Sequence, residues 1–192
     1  MANYPFELCT FLREEKVSKR VEESTPDHLD FHFCIEQGGC LQVDFRPREH
    51  LTLTVAFVIG EDAEAIVRIL YRGQGDSTFK CCTLQKHIGN GGISSIEVKY
   101  VGEDRARFDY RGKIDVPENI AGVKVVQKNK NLVLSEHVRV DTEPAMDIRS
   151  KDVECFHGAA IGGMDCEILQ YFSTRGIGEN MAKEIFIDGF LS

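Results

Sequence analysis

From residue 28 to about residue 160 the chain is written almost entirely in a period of two, which restricts it to folds built from short strands. Leu29, Phe31, Phe33 and Ile35 alternate with His28, Asp30 and His32, and Leu51, Leu53, Val55, Phe57 and Ile59 repeat the pattern. Successive strand side chains point to opposite faces, so each run reads as a strand with one buried face. Val67, Ile69 and Tyr71, then Ile96, Val98 and Tyr100, then Ala106, Phe108 and Tyr110 form further runs. The pairs Val123 and Val125, Leu132 and Leu134, Val138 and Val140, and Met146 and Ile148 continue them. Turn formers such as GQGD at 73–76, GNGG at 89–92 and Pro117 separate the runs at intervals of roughly 8 to 15 residues, which is an all-β signature. No helix of useful length fits between 28 and 160, apart from a turn near 61–66.

A sandwich, a barrel and a solenoid all satisfy that pattern. Hairpin signals are scarce, Asn90-Gly91 being the one strong candidate, and most gaps are not the two-residue turns that adjacent antiparallel strands prefer. After Asp165 the period changes. Ile168, Leu169 and Phe172 fall at helical spacing up to Gly176, and Met181, Ala182, Ile185 and Phe186 form a second apolar stripe, which predicts a helix pair. The chain therefore divides into an N-terminal arm or helix over 1–27, carrying the mixed-charge run LREEKVSKRVEE, a β core over 28–160 and a helical segment over 161–192.

Charge and composition exclude whole classes of task. Twenty-three basic against 31 acidic residues give a net charge of −8, which repels nucleic-acid phosphates and anionic lipid surfaces where no basic patch overrides it. No run of 18 apolar residues is present, so no membrane span is expected, and the N-terminus lacks a basic segment followed by an apolar one. The seven cysteines are odd in number and contain no C-x-x-C pair, which fits free thiols in a reducing, cytoplasmic setting.

Five separate words stand in order near the C-terminus: NKNLVLS at 129–135, VDTEPAMDI at 140–148, KDVECFHGA at 151–159, TRGIGENMA at 174–182 and GFL at 189–191. In content and spacing this stretch resembles the C-terminal core of the SufB/SufD family, the scaffold proteins of the SUF machinery that assembles iron–sulfur clusters. Residues 28–125 fit the family only in texture. The resemblance implies a right-handed β-solenoid with a helical end, and it tips the choice of fold to that architecture. A solenoid needs its open ends covered, and residues 164–190 are the expected cover.

Cys155 and His157 lie two apart, so on an extended strand they share one face with Cβ atoms roughly 7 Å apart. Thiolate and imidazole together suit iron, zinc or the edge of a cluster. Against that stands the reading of Cys155 as a buried core thiol, which the residue type itself favours. The resemblance places His157 on the family's histidine at the interface where a nascent cluster forms. Cys166, at the start of the first helix, completes a conceivable Cys155, His157, Cys166 set. In SufB-type scaffolds a glutamate follows the histidine and an upstream strand carries a cysteine. Here those positions hold Gly158 and Lys128 or Asn129, so the resemblance is closer to the SufD type. Cys34 and Cys40 read as non-ligands, Cys81 and Cys82 point to opposite faces, and His87 and His137 read as surface residues.

The expectation is a non-catalytic scaffold or accessory subunit in iron–sulfur cluster assembly. A SufC-like ABC ATPase and a SufB-like partner, or a second copy of the chain, are the partners the resemblance implies. Its one cofactor is an iron–sulfur cluster held transiently at a partner interface. A self-associating β-solenoid without cluster chemistry is the alternative. A β-helical carbohydrate-active enzyme needs clustered carboxylates on one sheet face, and Asp104, Asp109 and Asp115 are scattered.

Overall fold

The computed structural model describes residues 9–12, 20–21, 28–47 and 50–192. Twelve strands precede two helices: β1 Cys9–Leu12, β2 Arg20–Val21, β3 His28–Ile35, β4 Cys40–Phe45, β5 Leu51–Ile59, β6 Glu64–Gly73, β7 Thr78–His87, β8 Ile93–Gly102, β9 Arg107–Val116, β10 Val123–Val133, β11 Arg139–Ile148, β12 Val153–Gly162, α1 Cys166–Thr174 and α2 Glu179–Leu191. Odd strands form one six-stranded sheet in the order β1-β3-β5-β7-β9-β11, and even strands form the other in the order β12-β10-β8-β6-β4-β2. Among the described residues every pairing is parallel, and successive strands alternate between the two sheets. The result is the expected β-solenoid, followed in the chain by the helix pair.

The period of two becomes a set of inward columns. Leu53, Cys81 and Tyr110 stack in one sheet, and Val43, Val67, Ile96 and Gln127 in the other. Aromatic rings run between the sheets: Tyr71 lies 4.2 Å from Phe79, and Tyr100 lies 4.6 Å from Phe108, by ring centroids in stacked pairs. Such pairs add about 0.5–1.5 kcal/mol each beyond the burial of their area.

Corner chemistry explains why hairpin-type signals occur in a fold without hairpins. Gly38, Asp62, Gly91 and Gly122 have φ of 68, 51, 68 and 70° and sit one above another. Their amides donate along the coil axis to the carbonyls of Glu61, Asn90, Ala121 and Asp152 at 2.8–3.0 Å. A left-handed residue is needed at each corner, and glycine or aspartate supplies it at small steric cost. Asn90-Gly91 is therefore a corner joining β7 to β8 in opposite sheets, not a hairpin turn.

Two expectations need correction. Within 1–27, the described stretches Cys9–Leu12 and Arg20–Val21 are strands that extend the two sheets by pairing with β3 and β4, because parallel edges at β3 and β4 offer unpaired backbone groups. The rest of that arm lies outside the described residues. The helix pair, moreover, does not cover the end of the coil. Ile187 of α2 buries against Val101 and Leu132, with Leu134, Phe186, Phe190 and Leu191 packed around them. Val101 and Leu132 are outward residues of β8 and β10, stacked in register, so they form an apolar patch on the outside of the even-numbered sheet. That patch recruits α2. Arg72 then clamps it, donating to both carboxylate oxygens of Glu184 at 2.7 and 2.8 Å and to Glu103 at 2.7 Å. The last coil, β11 and β12, is left open.

Candidate functional site

β12 lies on β10 in unbroken parallel register, which sets the direction of every side chain in the family-like segment. Cys155 stacks on Val125, His157 on Gln127, Ala159 on Asn129 and Ile161 on Asn131. All four underlying residues are at most 3% exposed. Cys155, His157, Ala159 and Ile161 therefore carry on the inward columns, but among the described residues no further coil lies above them. On the facing strand Met146 stacks on Ile114 and Pro144 on Gly112. An edge strand tolerates Pro144 because one side of its ladder has no partner.

The open mouth is apolar and sulfur-bearing. Met146 and Ile161 are 46% and 59% exposed. The Cys155 thiol is half-buried, packs with Ile148 and Val153 on Ile114, Val116, Ile120, Val123 and Val125, and points its Sγ at Met146 Sδ, 3.5 Å away. Burial pushes the Cys155 thiol above its ordinary range, so at neutral pH it is held protonated. His157 is exposed on the same strand face. Phe156 faces outward, with Lys128 Nζ 5.8 Å from its ring centroid. A Cβ at Gly158 would meet only the Phe156 ring edge, at 3.8 Å. Packing thus leaves room for a side chain at position 158.

Cys166 opens α1, exposed, behind the Asp165 cap whose carboxylate accepts from the Glu167 amide. Among the described residues no group of three or more His, Cys, Asp or Glu side chains is placed to hold a metal ion. Cys155, His157 and Cys166 are therefore not gathered into a three-ligand centre within one chain. Cys81 is buried and Cys82 half-buried, on opposite faces as their adjacency requires, and His137 lies at the surface.

His87 is the correction. It is fully buried, its Nε2 is 2.8 Å from Ser94 Oγ, and desolvation lowers its pKa to about 4. It belongs to a polar stretch of the interior that lies directly beneath the open coil. Tyr110 Oη is 2.9 Å from Thr83 Oγ1 and accepts from Gln127 Nε2 at 2.9 Å, Gln85 Nε2 donates to Ser94 Oγ at 2.9 Å, and Asn131 Nδ2 donates to Asn129 Oδ1 at 2.6 Å and to the Ala160 carbonyl at 3.1 Å. Gly112 makes the space: a Cβ there would lie 1.8 Å from Gln127 Nε2. The residue pattern held the signal, since Thr83, Gln85 and His87 share the parity of Phe79 and Cys81, and Gln127, Asn129 and Asn131 that of Val123 and Val125.

Residues 46–190 match the family described as SUF system FeS cluster assembly, SufBD core domain. This chain belongs to that family. It is 33% identical over 92 residues to an iron–sulfur cluster assembly SufBD family protein of Synechocystis sp., covering 48% of this chain and 20% of that one. Likeness to the iron–sulfur cluster assembly protein SufD of Escherichia coli is 33% over 92 residues, covering 48% and 22%. The SufD of Bacillus subtilis is 30% identical over 120 residues, covering 62% and 28%. The SufD-type likeness thus has named counterparts, and the matched segments span between a fifth and three-tenths of those relatives. The family match reaches back to residue 46, well upstream of the words that carry the resemblance. Among the described residues no helix is long and apolar enough to cross a membrane.

Proposed function

We propose that this SufBD-family chain is a non-catalytic, SufD-like scaffold or accessory subunit of iron–sulfur cluster assembly, completed by a partner at its last coil. One observation carries the reading. The inward columns continue into β12 with Cys155 and His157, and nothing among the described residues covers them, although the same columns are sealed in the coils below. β11 and β12 are the terminal strands of their sheets, so a second solenoid end, from a SufB-like partner or a second copy, would satisfy both edges and bury the exposed Met146 and Ile161. A cluster formed there would take His157, Cys155 or Cys166 from this chain and further ligands from the partner. For the SufC-like ATPase, the exposed Tyr171, Met181 and Ile185 of the helix pair offer an apolar footing.

Anaerobic co-purification with a SufB-like partner, followed by iron and sulfide analysis, tests the reading. His157→Ala should lower iron in the complex while leaving the melting temperature of the chain unchanged, because an exposed imidazole adds little to the core. Unchanged iron content in that variant sinks the assignment. A complex that forms without iron in either protein favours the pure interaction module.

A further inference from the structure

Two sulfur donors meet at the mouth of the coil, one from each sheet, and an imidazole lies on the same strand face as one of them. Cys155 Sγ and Met146 Sδ stand 3.5 Å apart, thiol to thioether, in a half-apolar recess floored by Ile114 and Val125. Two sulfur ligands on one metal ion at about 2.3 Å each are separated by about 3.8 Å at a tetrahedral angle and about 4.0 Å at a trigonal one, so the pair needs to open by only a few tenths of an ångström to share a metal. His157 follows Cys155 on the same strand face, one inward position along. Pro144, stacked on Gly112 in the facing strand, presents no long side chain across from it.

The donor set selects the metal. Thiolate and thioether sulfurs are soft ligands, and a thioether in particular contributes little to zinc, magnesium or calcium but binds monovalent copper well. Among the described residues no group of three or more His, Cys, Asp or Glu side chains is placed to favour a harder dication. We propose that Cys155, Met146 and His157 form a Cu(I) site at the open end of the solenoid. Binding replaces the thiol proton with the metal: one S–Cu bond forms, the S–H bond breaks, one proton is released to solvent, and copper enters and stays as Cu(I). The site is complete within one chain and does not depend on the cluster-assembly reading.

The test uses the full 192-residue chain alone, under anaerobic conditions, with Cu(I) delivered from a competing chromophoric chelator. The chain has seven cysteines, so uptake by itself does not locate the metal. Methyl-13C labelling of the four methionines does. The resonance assigned by Met146→Leu should shift with the first equivalent of Cu(I), and X-ray absorption should show two sulfur neighbours and one nitrogen. Met146→Leu, a volume-conserving swap that keeps the fold, should weaken Cu(I) binding by roughly tenfold or more while leaving Zn(II) affinity unchanged. Cys155→Ser should abolish the methionine shift. A Met146 methyl unmoved by one equivalent of Cu(I), or a Met146→Leu affinity equal to that of the wild type, overturns the proposal. Loss of cluster assembly with a partner would leave these readouts untouched.

Discussion

Lowering the pH from 7.5 to 5.0 should destabilise the chain through one residue, His87. Its ring is fully buried inside the coil, one nitrogen meets Ser94, and Nδ1 has no protein partner among the described residues. Charging it there means burying a cation without a counter-charge, which is why the folded pKa falls from 6.5 to about 4. The folded state thus takes up the proton less readily than the unfolded chain. Stability is full above pH 6.5 and falls as the pH drops from 6.5 toward 4. At pH 5 the difference in proton binding amounts to about 2 kcal/mol. For a chain of this size that corresponds to a fall in Tm of about 4–8 °C. Carboxylates whose pKa is lowered by an ion pair, such as Asp76 beside Arg105, Glu184 beside Arg72 and Glu179 beside Lys183, act in the opposite window. Their contribution is present above the ordinary carboxylate range and is lost only as the pH falls below it, so it leaves pH 5.0–7.5 clear. Urea unfolding at pH 7.5 and 5.0, on wild type and His87→Gln, isolates the histidine: the variant should start less stable and lose little further stability. Equal pH dependence in the two proteins would refute the argument.

Gly112→Ala should cost about 1–3 kcal/mol in urea unfolding, because its Cβ would displace the Gln127 amide from Tyr110, and Gln127→Ala on that background should recover part of the loss. Ile187→Ala should cost about 2–4 kcal/mol locally and release α2 from the even-numbered sheet, seen as faster hydrogen exchange in α2 while the strands stay protected. Cys155→Ser places a hydroxyl in a half-buried apolar site and should lower stability by about 1 kcal/mol, whereas His157→Ala should leave Tm unchanged.

Strands were legible in this chain because a parallel coil has the simplest code there is, an inward column every second residue. Leu51 to Ile59 shows it without interruption. The layering of strands into two sheets was not legible from the same signal, since a period of two is silent about which strand lies beside which, and the resemblance decided it. The flanks of His87, Lys86 and Gly89, look like a surface turn, yet the residue is buried. Parity with Phe79 and Cys81 pointed inward and was the better guide. The position of α2 depended on Val101 and Leu132, two outward residues roughly 30 positions apart that become neighbours only once the coil repeat is known. Cys155 and His157 were found through the family words. From the sequence Met146 shows only strand parity with Ile148, because contact across the interior between opposite sheets depends on the width of the coil.

Along the axis the interior changes character, and the change bears on how the last coil works. The column Phe33, Phe57, Gln85, Ile114, Met146 begins with two rings and ends with a thioether, and the column Val43, Val67, Ile96, Gln127, His157 turns polar at its fourth member. Gln85 Oε1, Gln127 Oε1, Asn129 Nδ2 and Asn131 Oδ1 are buried without a protein partner among the described residues, and each such atom costs about 1–3 kcal/mol when left unsatisfied. A core selected only for stability would not place four of them in the two coils beneath its open end. The early coils, with Leu53, Phe57, Val67 and Ile69 at 1% exposure or less, hold the fold together. They support a polar, less well satisfied section whose side chains would be able to re-pair if the proposed partner closes the mouth. On this argument, replacing Gln127 and Asn129 with Leu and Val should raise the melting temperature of the isolated chain and weaken its complex with a SufB-like partner. A gain in stability with no loss in partner affinity would show that the polar section serves neither the mouth nor what binds there.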